Sequence, residues 1–288
     1  MPLPLYRLST GIALRAAGAH PRRLEIANSG RISLRYWSHP ARTRTEESPP
    51  PAVFLHGMGS TVLSWLPVLR RLAPDSSWLA PELSALGGTR APARGLSIPQ
   101  AVAATAALLD REGVTRACLV GSSLGGWMAV RFALAHPQRV ARLVLVNAGG
   151  YFDQDWDAVS RLVAPRTRRD VAAFTRALFF HPPWYEPVAR DVLYAVLRSR
   201  VVTDVIDTIG AADTYDAADL RRLQLPALLL WGERDGIFPP EIGRRIADAL
   251  PDSRFEIVAG TAHACQWERP DEVARQIESF AEVCRAPG

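Results

Sequence analysis

Ala117-Cys118-Leu119-Val120-Gly121-Ser122-Ser123-Leu124-Gly125, followed by the helix-like run Trp127-Met128-Ala129-Val130-Arg131-Phe132, decides the reading of this chain. The apolar run predicts a buried strand, and the run after Gly125 predicts a helix stopped by Pro137. Between them lies G-x-S-x-G. A strand-to-helix turn of this kind is sharp and strained, so it takes small residues on either side of the serine and holds the hydroxyl above the end of a sheet. Ser123 is the serine in register, because Ser122 would need glycine where the chain has Val120. A pentapeptide this short arises by chance about one time in ten at ordinary Gly and Ser frequencies, so its context has to carry the argument.

The context is a β-α-β-α alternation. Ala52-Val53-Phe54-Leu55, Ser77-Trp78-Leu79-Ala80, the strand before Ser123 and Leu143-Val144-Leu145-Val146 are short continuous apolar runs, as expected of strands buried on both faces of a parallel sheet. Helical spacing separates them at residues 61–72, at 97–111 and after Gly125. Ser97 with Gln100, and Pro99 in the first turn, form a capping-box signature for the second of these. Ahead of this region Leu24-Glu25-Ile26 and the alternating Arg31-Ile32-Ser33-Leu34-Arg35-Tyr36-Trp37 predict an antiparallel opening across Asn28-Ser29-Gly30. After it, residues 149–220 carry helical periodicity, several prolines and no convincing strand, and are expected to form an inserted helical cap. The alternation then resumes with Ala227-Leu228-Leu229-Leu230-Trp231, a helix over 240–250, Arg254-Phe255-Glu256-Ile257-Val258 and a final helix over 271–284. Residues 1–148 and 221–288 would then be one core. The pattern predicts an α/β fold, a mostly parallel sheet with helices on both faces.

Composition removes several chemistries. The chain has 288 residues, 48% of them hydrophobic, enough for one large core. All 34 basic residues are arginine. Without lysine there is no P-loop, no Schiff-base chemistry and no Ser-Lys dyad. The net charge of +5 is spread, with 29 acidic residues interleaved, so the arginines read as solvated surface and no nucleic-acid partner is expected. No apolar window is long enough to cross a membrane, and the first twenty residues lack an unbroken apolar stretch, so stable membrane insertion is not expected and the cytoplasm is the expected compartment. Cys118, Cys265 and Cys284 are odd in number and unpaired in spacing. They imply neither a disulfide framework nor a zinc site, and His263 with Cys265 has no second cluster to complete a metal sphere. No metal and no cofactor are expected, and Val62 breaks the dinucleotide fingerprint that could be sought after Gly57.

Serine is a poor nucleophile at neutral pH. It needs a histidine base and a carboxylate that holds the imidazole in one tautomer. In open α/β sheets reactive groups collect beyond the carboxyl ends of strands. The loop after Trp231 reads Gly232-Glu233-Arg234-Asp235, and the loop after Val258 reads Ala259-Gly260-Thr261-Ala262-His263, which gives the order Ser123, Asp235, His263. Asp213 and Asp216 near the end of the cap are alternative acids. Two backbone N–H donors would hold the oxyanion of acyl transfer: Leu124, at the start of its helix, and Met58, in the loop His56-Gly57-Met58-Gly59.

With Phe54-Leu55-His56-Gly57-Met58-Gly59-Ser60, Val120-Gly121-Ser122-Ser123-Leu124-Gly125-Gly126, Gly232-Glu233-Arg234-Asp235 and His263 followed by Glu268 and Pro270, the chain resembles the α/β-hydrolase superfamily from about Leu24 onward. It is most similar to the cap-bearing lipase-like, esterase-like and carbon–carbon hydrolase-like members. It departs from them slightly in Thr261-Ala262 before the histidine. The resemblance implies an α/β-hydrolase fold with an eight-stranded sheet, and a serine hydrolase whose small to medium apolar ester is cleaved through an acyl-enzyme on Ser123. A carbon–carbon hydrolase of a diketone-like substrate and a ligand-binding protein that keeps the fold are the alternatives. Serine in place of aspartate argues against dehalogenase-like and epoxide hydrolase-like chemistry. Specificity would lie in the cap, whose Tyr151, Phe152, Trp156, Phe179, Phe180, Trp184 and Tyr185 are candidate lining residues, with Trp65 and Phe238 nearby; packing onto the core is the competing role for each. The oligomeric state is left open.

Overall fold

The computed structural model describes residues 3–27, 31–40, 48–93 and 95–282. Asn28-Ser29-Gly30 and Cys284 lie outside them. Helix α1 (Leu3–Ala16) leads into β1 (His20–Ile26), which pairs antiparallel with β2 (Ile32–His39) in the register Ile26 to Ile32 and His20 to Ser38. The expected antiparallel opening is present. β3 (Ala52–Leu55), the short α2 (Leu66–Leu69), β4 (Trp78–Pro81), α3 (Ile98–Arg111), β5 (Ala117–Ser122), α4 (Leu124–Ala135) and β6 (Val140–Val146) then alternate. Helices α5 (Trp156–Val163), α6 (Arg168–Leu178), α7 (Glu186–Leu197), α8 (Arg200–Ile206) and α9 (Ala217–Arg221) separate β6 from β7 (Ala227–Gly232). The chain ends with α10 (Pro240–Ala249), β8 (Ser253–Val258), α11 (Cys265–Glu268) and α12 (Pro270–Glu282).

The eight strands form one sheet in the order β1-β2-β4-β3-β5-β6-β7-β8, parallel from β4 to β8 and antiparallel on both sides of β2. Side chains alternate across a strand, so each continuous apolar run feeds two cores at once. Val53, Leu119, Leu143, Leu145, Leu229 and Trp231 point to the layer that holds α3, α4 and α10. Phe54, Cys118, Val120, Val144, Leu228 and Leu230 point to the opposite layer, where Leu14 of α1, Leu69 of α2 and Val273 and Ile277 of α12 pack. The fold expected from the sequence, a mostly parallel sheet covered on both faces, is the one observed.

Helix α3 begins as its signature predicts: Ser97 Oγ accepts from Gln100 N at 3.3 Å, and Gln100 Oε1 accepts from Ser97 N at 3.1 Å. The stretch 61–72 is less regular than its periodicity suggests. It forms a 3-10 turn over Val62–Trp65 and then four α-helical residues, and Pro67, which has no N–H to give, interrupts the hydrogen-bond ladder that would join the two into one helix. Helix α1 is not foreshadowed, since Gly11 lies in its middle, where helix propensity is poor. Among the described residues no helix is long and apolar enough to cross a membrane.

Candidate active site

The turn between β5 and α4 is built for close contact. A Cβ on Gly121 would stand 2.3 Å from the carbonyl oxygen of Gly125, and one on Gly125 would stand 2.1 Å from that of Leu55. Only glycine fits at either place. Ser123 itself has φ 55° and ψ −121°, a backbone region that costs a residue with a side chain about 1–3 kcal/mol. Three backbone hydrogen bonds hold it there: Ser123 N donates to Val146 O at 3.0 Å, and Ser123 O accepts from Trp127 N at 3.1 Å and Gly149 N at 3.2 Å. Packing against β6 thus supports a strained serine at the C-terminal edge of the sheet.

Asp235 and His263 lie in the loops after β7 and β8, 4% and 5% exposed. Asp235 Oδ1 accepts from the N–H groups of Ile237 at 2.8 Å and Phe238 at 2.9 Å, which fixes the carboxylate's orientation. Its Oδ2 faces His263 Nδ1 at 2.8 Å. A carboxylate oxygen only accepts, so Nδ1 carries the proton and Nε2 keeps its lone pair. Phe238 closes against the imidazole edge to face, with ring centroids 5.5 Å apart. Asp213 and Asp216 are not brought to this histidine; their carboxylates accept from Gly210 N and Asp219 N and cap local turns.

The loop after β3 comes close on the other side. A Cβ on Gly57 would lie 3.2 Å from Ser123 Cβ. Leu124 N–H, at the first position of α4, is one of the donors that a helix start leaves without an internal partner. His56 anchors the loop beneath: Nδ1 donates to Gly57 O at 2.9 Å and Nε2 accepts from Leu83 N at 2.9 Å. Burial pushes this imidazole down from 6.5 to about 4, so it stays neutral.

Ser123, His263, Met58 and Leu124 all border one cavity of about 720 Å³, within the range of small-molecule sites. Helices α5 to α8 form much of its wall through residues such as Trp156, Val159, Leu193 and Ile206, and Phe152 and Phe238 also line it. Besides Ser123 and His263, its lining includes the polar residues Ser60, Ser64, Ser122, Ser160, Thr214 and Gln266. Among the described residues no Arg, Asp or Glu lines it.

Five expected lining residues are not brought there: Tyr151 is buried against Phe152 and Tyr215, Phe180 lies under the Arg234 guanidinium, and Trp65, Trp184 and Tyr185 are also placed elsewhere. Trp65 is fully buried in the opposite layer, edge to face with Phe54 at 5.2 Å. Trp184 is 90% exposed and meets Tyr185, itself half exposed, edge to face, and neither borders the cavity. The periodicity that marked 149–220 as helical does not say which face of each helix turns inward, and the two residues stand just ahead of α7.

Asn147 carries a role that the sequence reading missed. At φ 48° after β6, its Nδ2 donates to His263 O at 2.8 Å and to Cys265 Sγ at 2.8 Å, while its Oδ1 accepts from Gly232 N at 2.8 Å. One side chain therefore ties the ends of β6 and β7 to the histidine loop. An asparagine at a strand end, tolerant of positive φ, is the only sequence signal it leaves. Cys265 is engaged there and its thiol is pushed up to about 12 by burial, as is that of Cys118, which keeps both unreactive. Among the described residues no cluster of three or more His, Cys, Asp or Glu forms to hold a metal ion.

Comparison with known proteins agrees with this architecture. The chain is 27% identical to the pimeloyl-[acyl-carrier protein] methyl ester esterase of Pectobacterium atrosepticum, with 86% of this chain and 98% of that one covered. It is 26% identical to the 2-hydroxymuconate semialdehyde hydrolase of Pseudomonas sp. strain CF600, with 80% and 86% covered. Among solved structures a membrane phospholipase A, a bacterial virulence factor, superposes with a TM-score of 0.82 at 22% identity over 99% of this chain and 93% of that one, a likeness of fold alone. The sequence pattern of the alpha/beta hydrolase family matches residues 52–276. That match spans the sheet from β3 onward, the loops after β3, β5, β7 and β8 that build the site and the helices between β6 and β7, and the chain belongs to the alpha/beta hydrolase family.

Proposed function

We propose that the protein is a serine hydrolase that cleaves an uncharged, small to medium apolar carboxylic ester through an acyl-enzyme on Ser123. In this reading residues 149–220 are a cap over the site and residues 1–148 and 221–288 its core. The observation that carries the proposal is the cavity: Ser123 and His263 share an apolar space of about 720 Å³ whose lining has no Arg, Asp or Glu among the described residues. Burying an unpaired charge there would cost several kcal/mol, which favours a neutral substrate over an anionic one.

His263 Nε2 takes the Ser123 proton as Oγ attacks the ester carbonyl, and Asp235 stabilises the imidazolium through Nδ1–H. The N–H groups of Met58 and Leu124 receive the oxyanion; each such donor typically contributes about 3 kcal/mol in the transition state. His263 returns the proton to the departing alcohol, then activates water to hydrolyse the acyl-enzyme. A carbon–carbon hydrolase acting on an anionic diketone would want a cation in the pocket, and among the described residues no arginine lines it. A protein that only binds has no use for strain at Ser123.

The test is turnover of p-nitrophenyl acyl esters over a chain-length series beside a vinylogous diketone. Hydrolysis of the short and medium esters is expected. No activity at any length, together with cleavage of the diketone, would overturn the ester assignment.

A further inference from the structure

Residues 177–181, where α6 ends, are gripped from two sides. Gly236 N, next to Asp235, donates to Ala177 O at 3.2 Å, and the guanidinium of Arg234 lies 4.6 Å from the centre of the Phe180 ring. From the histidine loop Ala264 N donates to Leu178 O at 2.9 Å. One carboxylate completes the arrangement. Glu268 Oε1 accepts from Phe180 N at 2.8 Å and His181 N at 3.2 Å, while its Oε2 accepts from Ala262 N at 2.8 Å. Ala262 directly precedes His263, and Leu178 and Phe179 line the cavity.

We infer that Glu268 is a positioning residue that registers His263 against the wall of the pocket, so that the histidine loop and the end of α6 move as one body. The inference rests on the role proposed for His263. Two carboxylate oxygens satisfy three backbone donors from segments more than 80 residues apart in sequence. A glutamine offers one accepting oxygen and turns an NH2 toward a backbone N–H, so one side of the joint must open. An error in placing a catalytic base is costly: displacement by about 1 Å can lower a rate on the order of a hundredfold.

The experiment is Glu268→Gln, with folding checked by circular dichroism and three readouts: ester kinetics, the downfield proton resonance of His263 Nδ1–H, and amide exchange. The expected result is a kcat lower by about tenfold or more with KM within about twofold. It also includes a shifted or broadened His263 resonance and faster exchange at Phe180, His181 and Ala262 together. A folded variant with wild-type kcat and an unchanged resonance would overturn the inference. A wild-type protein that shows the resonance but hydrolyses no ester would remove the hydrolase reading, while loss of that resonance in the variant would still establish the positional coupling. If the variant does not fold, exchange in the wild-type protein decides: one shared slow rate at the three amides supports the joint, and free exchange at residues 180 and 181 refutes it.

Discussion

Replacing Ser123 by glycine should make the protein more stable than replacing it by alanine, although both variants lose the hydroxyl. At φ 55° and ψ −121° the residue occupies backbone space that suits only glycine. Alanine keeps the Cβ and with it a strain of about 1–3 kcal/mol. Glycine removes the strain but widens the unfolded ensemble, an opposing effect of about 0.5–1 kcal/mol. The net advantage of Ser123→Gly is about 0.5–2 kcal/mol. An unfolding entropy of about 2.1 cal/mol/K per residue, over a chain of this length, makes that about 1–3 °C in melting midpoint. The assay is thermal unfolding of the wild-type, glycine and alanine proteins in one buffer, followed by circular dichroism and calorimetry to establish a single transition. A glycine variant that melts at or below the alanine variant would refute the claim that the turn is strained, and with it the argument that strain at Ser123 is retained for catalysis.

Gly125→Ala should cost at least about 3 kcal/mol, because the new Cβ meets the Leu55 carbonyl oxygen at 2.1 Å in the central strand β3; a urea midpoint close to wild type would contradict this. Asp235→Asn should lower kcat by about three to four orders of magnitude with the fold intact: the amide oxygen keeps the bonds from Ile237 and Phe238, its NH2 then faces Nδ1, and the tautomer that leaves Nε2 free is lost. Full activity in that variant would return the acid role to another residue. His56, held down to about 4 from 6.5 by burial, takes up a proton more readily in the unfolded chain. Its contribution to stability is therefore complete above pH 6.5 and is lost as pH falls toward 4, in all about 3 kcal/mol. Glu82 Oε2 lies 3.8 Å from Nε2, but that nitrogen already accepts from Leu83 N–H, which keeps the ring neutral. Urea unfolding from pH 7.5 to 4 should show a slope that His56→Gln flattens; the same slope in that variant would contradict the assignment.

The sheet, the pairing of Asp235 with His263 and the placing of His263 on the cavity that Ser123 also borders were legible for one physical reason. Strands buried on both faces read as unbroken apolar runs, and the loops that follow them are where polar residues reappear, so chain order alone put each group at the carboxyl edge. The pocket wall was not legible. Trp184 and Tyr185 have the same composition as residues that line a site, and only the rotation of α7 and its preceding turn decides that they face outward. Trp65 takes the competing role of core packing, in the layer below the sheet against Phe54. Asn147 and Glu268 act through backbone groups far away in sequence, and no local pattern encodes those partners.

Labelling by a fluorophosphonate probe, with the modified residue mapped by mass spectrometry, tests the central claim most directly. The wild-type protein should carry the probe on Ser123 alone, Ser122→Ala should retain most of the labelling, and Ser123→Ala should lose it. A folded wild-type protein that remains unlabelled, or a Ser123→Ala protein labelled as fast as wild type, would contradict the account.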